Sequence, residues 1–464
     1  VTERFDVAIV GAGPAGQAAA LRLAGMGASV AVVDEQPRPG GQILRQPPTD
    51  FAVRGWMEGG SYAGLRAQLE RFEGDGDIAW RGGRSVLGVS QRPAGDGELG
   101  FALTLSSAEG VGRITARRLL IATGCQDLAV PLPGWTLPGV YAAGGLQAFL
   151  KSQRIIPGDR VILAGTHPLQ LVIAAQIVEA GGSVVAVLFA QPRARMITTM
   201  ASAPLVALGH AGNMLMAAAA MRTLMRHRVP VQFDSPVERI LGEDRVEGLI
   251  AGGRRWDGDT VGLCFGFVPQ STLPRMIGAD MRRAGPSGGW ATTHDRWMRS
   301  TVPGLFVAGE TTGVAGAPAA MAAGEVAGIG IAYDLGMIDE TSAERHAAAP
   351  RSIREDYLRF ARLLDRLSDP RPWFPALDAD TLVCRCEDVP LSHITPLVGD
   401  RSANAIKLAT RCGMGPCQGR NCEPTLLRLL DDPADPGFAA RFPARPATIA
   451  DLAGPAYVAA KATN

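Results

Sequence analysis

Residues 5–35, FDVAIVGAGPAGQAAALRLAGMGASVAVVDE, leave the chain little choice of local fold. Val7 to Val10 is an unbroken apolar run, as in parallel strands buried on both faces. Gly11, Gly13 and Gly16 then give the spacing G-x-G-x-x-G, followed by a helix of small residues and a second apolar strand. Each glycine meets a different steric demand. The first permits a tight turn, the second lets backbone approach a pyrophosphate, and the third allows close helix–strand packing. Pro14 and Ala15 open the helix, whose free N–H groups would face a phosphate. The second strand ends in VVDE. Asp34, 18 residues after Gly16, is placed to accept hydrogen bonds from ribose hydroxyls, and Glu35 is the alternative register.

One such unit does not account for 464 residues, 47% of them hydrophobic, so two to four domains are expected. A net charge of +1 argues against a nucleic-acid protein held by a basic face. No window of 18 or more apolar residues occurs, and the start VTERFDVAIV lacks the basic-then-apolar pattern of a secretory signal. The expectation is a cytoplasmic chain without a membrane span. Of seven cysteines, five lie in the last 81 residues, which reads as metal ligation before disulfides.

Further along, ARRLLIATG (116–124) is another buried strand ending at a glycine turn. A second strand–turn–helix–strand unit occupies 159–190, but its turn reads GTHPLQ. Gly165 remains, while His167 and Gln170 stand at the second and third glycine positions. A Cβ at His167 hinders pyrophosphate approach, and Gln170 pushes helix from strand. Gln191 replaces the ribose acid, and Arg193 and Arg195 are expected on a solvated loop. NAD(P)H is therefore not expected there, although another nucleotide could occupy the unit. A strand, a glycine turn and a long small-residue helix fill 300–336, and the charged and proline-bearing stretch after it reads as a linker. No acid–base or nucleophile set stands out, so no catalytic residue is assigned. Cys125 and Cys264 each sit by apolar runs, as inert buried thiols do.

The last segment carries VCRCED and RCGMGPCQGRNC. C-x-C followed by a long gap and C-x4-C is ligand spacing. Four thiolates suit zinc or a [2Fe–2S] centre, and structural zinc favours C-x2-C knuckles. The glycine-rich GMGPCQGR would turn N–H groups toward the sulfurs.

These motifs resemble known families. TVPGLFVAGE resembles the second FAD motif of flavoproteins with two dinucleotide domains, where the acid meets the ribityl chain; here it is Gly309–Glu310, with Glu where Asp is commoner. LLIATG (Ala122, Thr123, Gly124) resembles the strand returning between the nucleotide domains, and PGGQI (Gly41, Gln42) the stretch beside the flavin. The cysteine segment resembles the ferredoxin domain of bacterioferritin-associated type, with some thirty residues between its pairs. Thirty residues separate Cys386 from Cys417, and 25 separate it from Cys412. The resemblance implies Cys384, Cys386, Cys417 and Cys422 as ligands, with Cys412 a spare thiol nearby.

Over nearly the whole chain, the order of motifs resembles the alpha subunits of heteromeric flavin-dependent amine dehydrogenases. Among them are opine oxidases, hydrogen cyanide synthase, D-hydroxyproline dehydrogenase and dye-linked proline dehydrogenase, with related parts in sarcosine oxidase. The implied fold class is α/β, a two-dinucleotide-binding-domain flavoprotein of glutathione-reductase type with a small α-rich C-terminal [2Fe–2S] domain. Residues 1–125 and 261–340 would form the FAD unit, 126–260 the degraded NAD-type unit, 341–378 a linker and 379–464 the iron–sulfur domain and tail. The implied cofactors are FAD (or another adenine nucleotide) in the first unit and a [2Fe–2S] cluster, with FMN at a subunit interface in some relatives. The implied partners are an FAD-containing beta subunit of D-amino-acid-oxidase type and a small third subunit, and such partners could hold the assembly at the periphery of the inner membrane. The implied role is electron transfer for C–N bond oxidation of an amino acid, imino acid or opine. The competing readings are a stand-alone NAD(P)H-dependent ferredoxin-type flavin reductase and a non-catalytic subunit with structural zinc.

Overall fold

The architecture comes from a computed structural model that describes residues 3–51, 53, 60–93, 99–107, 110–449 and 452. The first sheet is centred on β1 (Glu3–Val10). Parallel strands β2 (Val30–Val33) and β3 (Ile78–Arg81) extend it on one side. A hairpin of β4 (Ser85–Pro93) and β5 (Leu99–Ser107) joins on the other side through β6 (Gly110–Ile121), which runs parallel to β1. Leu305–Val307 returns late in the chain to pair with β6, so this sheet is discontinuous in sequence. Helix α1 (Pro14–Ala24) leaves β1 across the glycine turn and packs its alanine face on the sheet.

The second sheet is parallel and self-contained. Its centre is β7 (Val161–Gly165), flanked by β8 (Val184–Phe189) and β9 (Thr260–Cys264). All three are rich in β-branched or large apolar residues and nearly wholly buried, as a sheet covered on both faces requires. Helix α2 (Leu169–Glu179) follows β7 as α1 follows β1. Arg193 and Arg195 do not sit on a loop but begin the helix Arg193–Ala201, where both are exposed. Pro192 precedes that helix and presets its entry.

Helix α3 (Ala317–Asp334) is built of Ala, Gly, Val and Ile and is buried round nearly its whole circumference. Small residues let it approach α1 closely: a Cβ on Gly324 would collide with the Ala15 carbonyl. The next stretch corrects the expected linker at 341–378. Residues 340–367 form α4 (Glu340–Leu367), a 28-residue helix capped by Asp339, whose side chain accepts from the Ser342 N–H at 2.7 Å. Its buried stripe of Ala343, Ala347, Phe360, Leu363 and Leu367 packs on α3 and on the second unit.

The cysteine segment folds as a small module. Two short strands, Leu382–Cys384 and Val389–Pro390, precede helices Leu391–Ile394, Ala403–Thr410 and Glu423–Leu430. Its core of Val383, Ile394, Ile406 and Leu426 is completed by Trp290 from the flavin-type part. Glu423 is clamped by Arg275 through two 2.9 Å hydrogen bonds, with both side chains mostly buried. Among the described residues, no helix is long and apolar enough to cross a membrane.

Candidate cofactor sites

At the first unit, the glycines do what their spacing demands. Gly11 has φ +106°, and a Cβ there would strike the Ala122 carbonyl. A Cβ on Gly16 would strike the Gly11 carbonyl, so only glycine lets α1 sit this close to β1. Gly41, with φ +61°, faces Gly13 so closely that a Cβ on it would lie 2.8 Å from the Gly13 Cα. The helix N-terminus carries no side-chain cap and no acid in its first turn, which leaves its N–H groups and dipole for an anion. Asp34 stands beside them. Its carboxylate accepts from the Ala12 N–H at 2.7 Å and the Gln36 N–H at 2.8 Å, while burial pushes its pKa up. Glu35 turns instead to Arg445, 2.6 Å away, and the exposed Gln42 accepts from Arg45 at 2.9 Å.

The return strand and the late glycine motif close on this same end of the sheet. Thr123 and Gly124 meet Thr311, at 3.4 Å and 3.2 Å respectively. Gly309 lies against Ala15. Glu310 is held by two donors, the Gly316 N–H at 3.2 Å and the Cys125 thiol at 2.8 Å. Burial, then the Glu310 charge, pushes the Cys125 thiol well up, so it is a hydrogen-bond donor rather than a nucleophile. The uncapped helix, the glycine cradle and the two carboxylates fit an adenine dinucleotide. Thr311 and Cys125 were not found as site residues from the sequence, because their partners lie almost two hundred positions away.

The second unit shows the opposite chemistry on the same scaffold. His167 Nδ1 accepts from the Leu169 N–H at 3.2 Å, taking a first-turn donor that a phosphate would need. Its ring is edge-on to Phe267, and burial lowers its pKa to about 4, so it is neutral. Gln170 is fully buried, and neither its Oε1 nor its Nε2 has a partner. At the end of β8, Gln191 Nε2 donates to Thr166 O at 2.7 Å and to Leu367 O at 3.0 Å. The last turn of α4 therefore covers the place where a nucleotide ribose would lie.

In the module, the sulfurs of Cys384, Cys412 and Cys422 all lie within 4.8 Å of one another, and Cys386 and Cys417 are in hydrogen-bond contact. Hydrogen bonds from Cys412, then Cys422, pull the Cys384 pKa down to about 2, and the Gly413 N–H adds to them at 3.4 Å. The Cys417 N–H points at the Cys386 sulfur. Backbone donors thus converge on the thiols, as the glycine-rich sequence suggested. A Cβ on Gly415 would strike Cys386, and one on Gly413 or Gly419 would strike Phe438, so the loop can wrap the sulfurs only with glycine there. Such a soft donor set, with Cys384, Cys412 and Cys422 buried, Cys386 and Cys417 half-buried and N–H groups converging on it, fits an iron–sulfur cluster. Cys412 lies within this sulfur group, beside Cys384 and Cys422.

Comparison with known proteins agrees with this layout. Residues 5–324 match the pyridine nucleotide-disulphide oxidoreductase family, and residues 382–432 match the BFD-like [2Fe-2S] binding domain. The A subunit of opine oxidase from Rhizobium meliloti (strain 1021) is 33% identical, with 97% of this chain aligned to 98% of that one. The HcnB subunit of hydrogen cyanide synthase from Pseudomonas protegens is 29% identical over 89% of each chain. The crystal structure of L-proline dehydrogenase from P. horikoshii shares the fold, with a TM-score of 0.68 and 21% identity over 98% of this chain and 81% of that one.

Proposed function

The chain belongs to the pyridine nucleotide-disulphide oxidoreductase family and to the group of opine oxidase A subunits, and from that membership we propose that it is the electron-transfer alpha subunit of a heteromeric flavin-dependent dehydrogenase. It is an oxidoreductase with FAD and a [2Fe–2S] cluster as cofactors. The substrate, an amino acid, imino acid or opine, loses hydride at its C–N bond on a partner FAD subunit of D-amino-acid-oxidase type. FAD supplies two-electron acceptance and the cluster one-electron steps. This chain binds the dinucleotide through Gly11, Gly13, Pro14, Ala15, Gly16, Asp34 and Gly41, with Ala122, Thr123, Gly124, Gly309 and Glu310 completing the site. Cys384, Cys386, Cys417 and Cys422 hold the cluster, and Cys412 donates a hydrogen bond beside it.

The observation that carries this reading is the contrast between the two units. The second has His167 on its own helix N–H, Gln170 in the third-glycine position and Leu367 over Gln191, which speaks against a nicotinamide donor on this chain. Electrons then have to arrive from a different polypeptide. Anaerobic mixing with NADH or NADPH tests the point: rapid flavin bleaching would support the stand-alone reductase reading and sink the heteromer. Co-purification with the partner, followed by dehydrogenase assays on opines and prolines, should yield substrate-dependent flavin reduction only in the complex. Cys417→Ser and Cys422→Ser should each abolish the cluster's visible absorbance while Cys412→Ser keeps it; loss in Cys412→Ser with retention in Cys422→Ser would reassign the fourth ligand.

A further inference from the structure

Arg420 lies inside the loop that carries the last cysteines, and it is pinned to one of them. Its backbone N–H donates to Cys417 O at 3.2 Å, and its Nε donates to the same oxygen at 2.9 Å. The guanidinium is thereby held within one residue's reach of the Cys417 sulfur. Arg420 is half-buried, and among the described residues no carboxylate forms an ion pair with it. Burial and the Arg445 charge lower its pKa, while Cys417, Glu35 and Cys386 act in the opposite sense. An arginine keeps its charge throughout the pH range in which proteins work.

The other charges beside the cysteines are matched or wet. Glu387, next to Cys386, accepts a 2.7 Å hydrogen bond from Arg411, and Asp388 is exposed. Arg385, between Cys384 and Cys386, is exposed and lies over the Trp135 ring, 5.4 Å from its centre. Glu423, next to Cys422, is the residue clamped by Arg275. Arg420 is left as a fixed positive charge without a counter-charge, beside the two half-buried thiols Cys386 and Cys417. Reduction of a four-thiolate [2Fe–2S] centre adds one negative charge, and its potential follows the net charge around it. A half-buried cation acts through a medium of lower effective dielectric than water, so it stabilises the reduced form more than an exposed one does.

We propose that Arg420 sets the reduction potential of the cluster, holding it high with an unpaired positive charge fixed beside Cys417 and Cys386. The proposal rests on the reading that these two thiols ligate the cluster. A cluster held at higher potential takes electrons more readily, so the same charge favours electron flow toward the module.

The test uses the full chain with its cofactors, titrated anaerobically with dithionite in the presence of a one-electron indicator dye. One electron passes from the reduced dye to each cluster, where one ferric ion becomes ferrous. The quantity read is the equilibrium constant between cluster and dye, from the electron paramagnetic resonance of the reduced cluster, together with iron content and melting temperature. Arg420→Gln keeps an N–H donor and removes the charge; it should shift that constant roughly tenfold toward the oxidised cluster, about 59 mV for one electron. Arg420→Lys keeps the charge and should stay within about threefold of the native chain. A residue that only holds the loop predicts lower melting temperatures with a native constant. That pattern, or a shift in Arg420→Lys as large as in Arg420→Gln, overturns the proposal. If Arg420→Gln loads no iron, Arg445 and Glu35, 2.6 Å apart, serve to read the same field. Arg445→Gln bares the Glu35 carboxylate and should lower the potential, whereas Glu35→Gln bares the Arg445 cation and should raise it, each by about twofold in the constant. Shifts of one sign in both, or none in either, overturn the proposal. A native chain without iron, or one whose cluster survives Cys417→Ser, overturns the ligand reading and this proposal with it; a native cluster with an unshifted constant in Arg420→Gln overturns this proposal alone.

Discussion

The two dinucleotide-type units of this chain share one scaffold and differ at the turn between strand and helix. Each has a buried parallel strand, a turn beginning with glycine at positive φ (Gly11 and Gly165), a helix and a second strand. In the first, the helix comes near enough to the strand for backbone to touch backbone, and its terminal N–H groups are left for an anion. In the second, side chains stand at both positions: His167 takes a terminal N–H, and Gln170 is fully buried where the first unit has Gly16. The sheet survives the change intact. Nucleotide binding in this fold thus depends on what is absent from three positions, whereas the scaffold depends on what is present in the strands.

The most direct way to break the comparison is to move Gln170's residue type into the first unit. In Gly16→Gln, a Cβ meets the Gly11 carbonyl, so α1 has to move off β1. Purified protein should contain no flavin and lose about 3 kcal/mol or more of stability in denaturant titration.

Lys151 tests the seam between the units. It is almost wholly buried, donates to Ile43 O at 3.1 Å, and burial lowers its pKa from 10.5 to about 8. Below pH 8, both folded and unfolded chains hold the proton and the desolvation cost is constant. Between pH 8 and 10.5, the unfolded chain binds more protons at this site, so stability rises with pH. Relative to Lys151→Met, the native chain should gain on the order of 3 kcal/mol across that window. A flat difference would mean that the amine is solvated and keeps its proton in the folded chain as it does in the unfolded one.

Smaller effects are expected inside the closed unit. Gln191→Leu strips the hydrogen bonds from the Thr166 and Leu367 carbonyls and should cost about 2 kcal/mol, seen as a lower melting temperature. Gln170→Leu removes two buried polar atoms that have no partner, keeps the volume, and should raise stability by about 1 kcal/mol. If Gln170→Leu proves destabilising, those atoms are solvated by bound water and the space is less dry than its burial suggests.

How much of this was readable beforehand follows from the range of the interactions. The first unit was legible because its motif is local: strand, three glycines, helix and acid fall within 31 residues. The defect of the second unit was equally local, in His167, Gln170 and Gln191. That α4 closes it was not legible. Helix α4 itself was mistaken for linker because its buried face is mostly alanine near the start, Pro350 interrupts it, and charges crowd the other face. The Asp339 cap and the stripe from Phe360 to Leu367 were the signals available. The cysteine spacing marked the module, but it could not show Cys412 meeting Cys384 and Cys422, which depends on how one glycine loop folds back.

Trp290 has a consequence for how the protein is made. It sits in the core of the cysteine module yet precedes that module by more than ninety residues. During synthesis the flavin-type part leaves the ribosome first and folds as a unit. The last segment then emerges to find one wall of its own interior already standing, with Arg275 beside it ready to grip Glu423. Iron is loaded onto a platform that the rest of the chain has finished, and a gene cut to yield the cysteine segment alone would yield it without that wall.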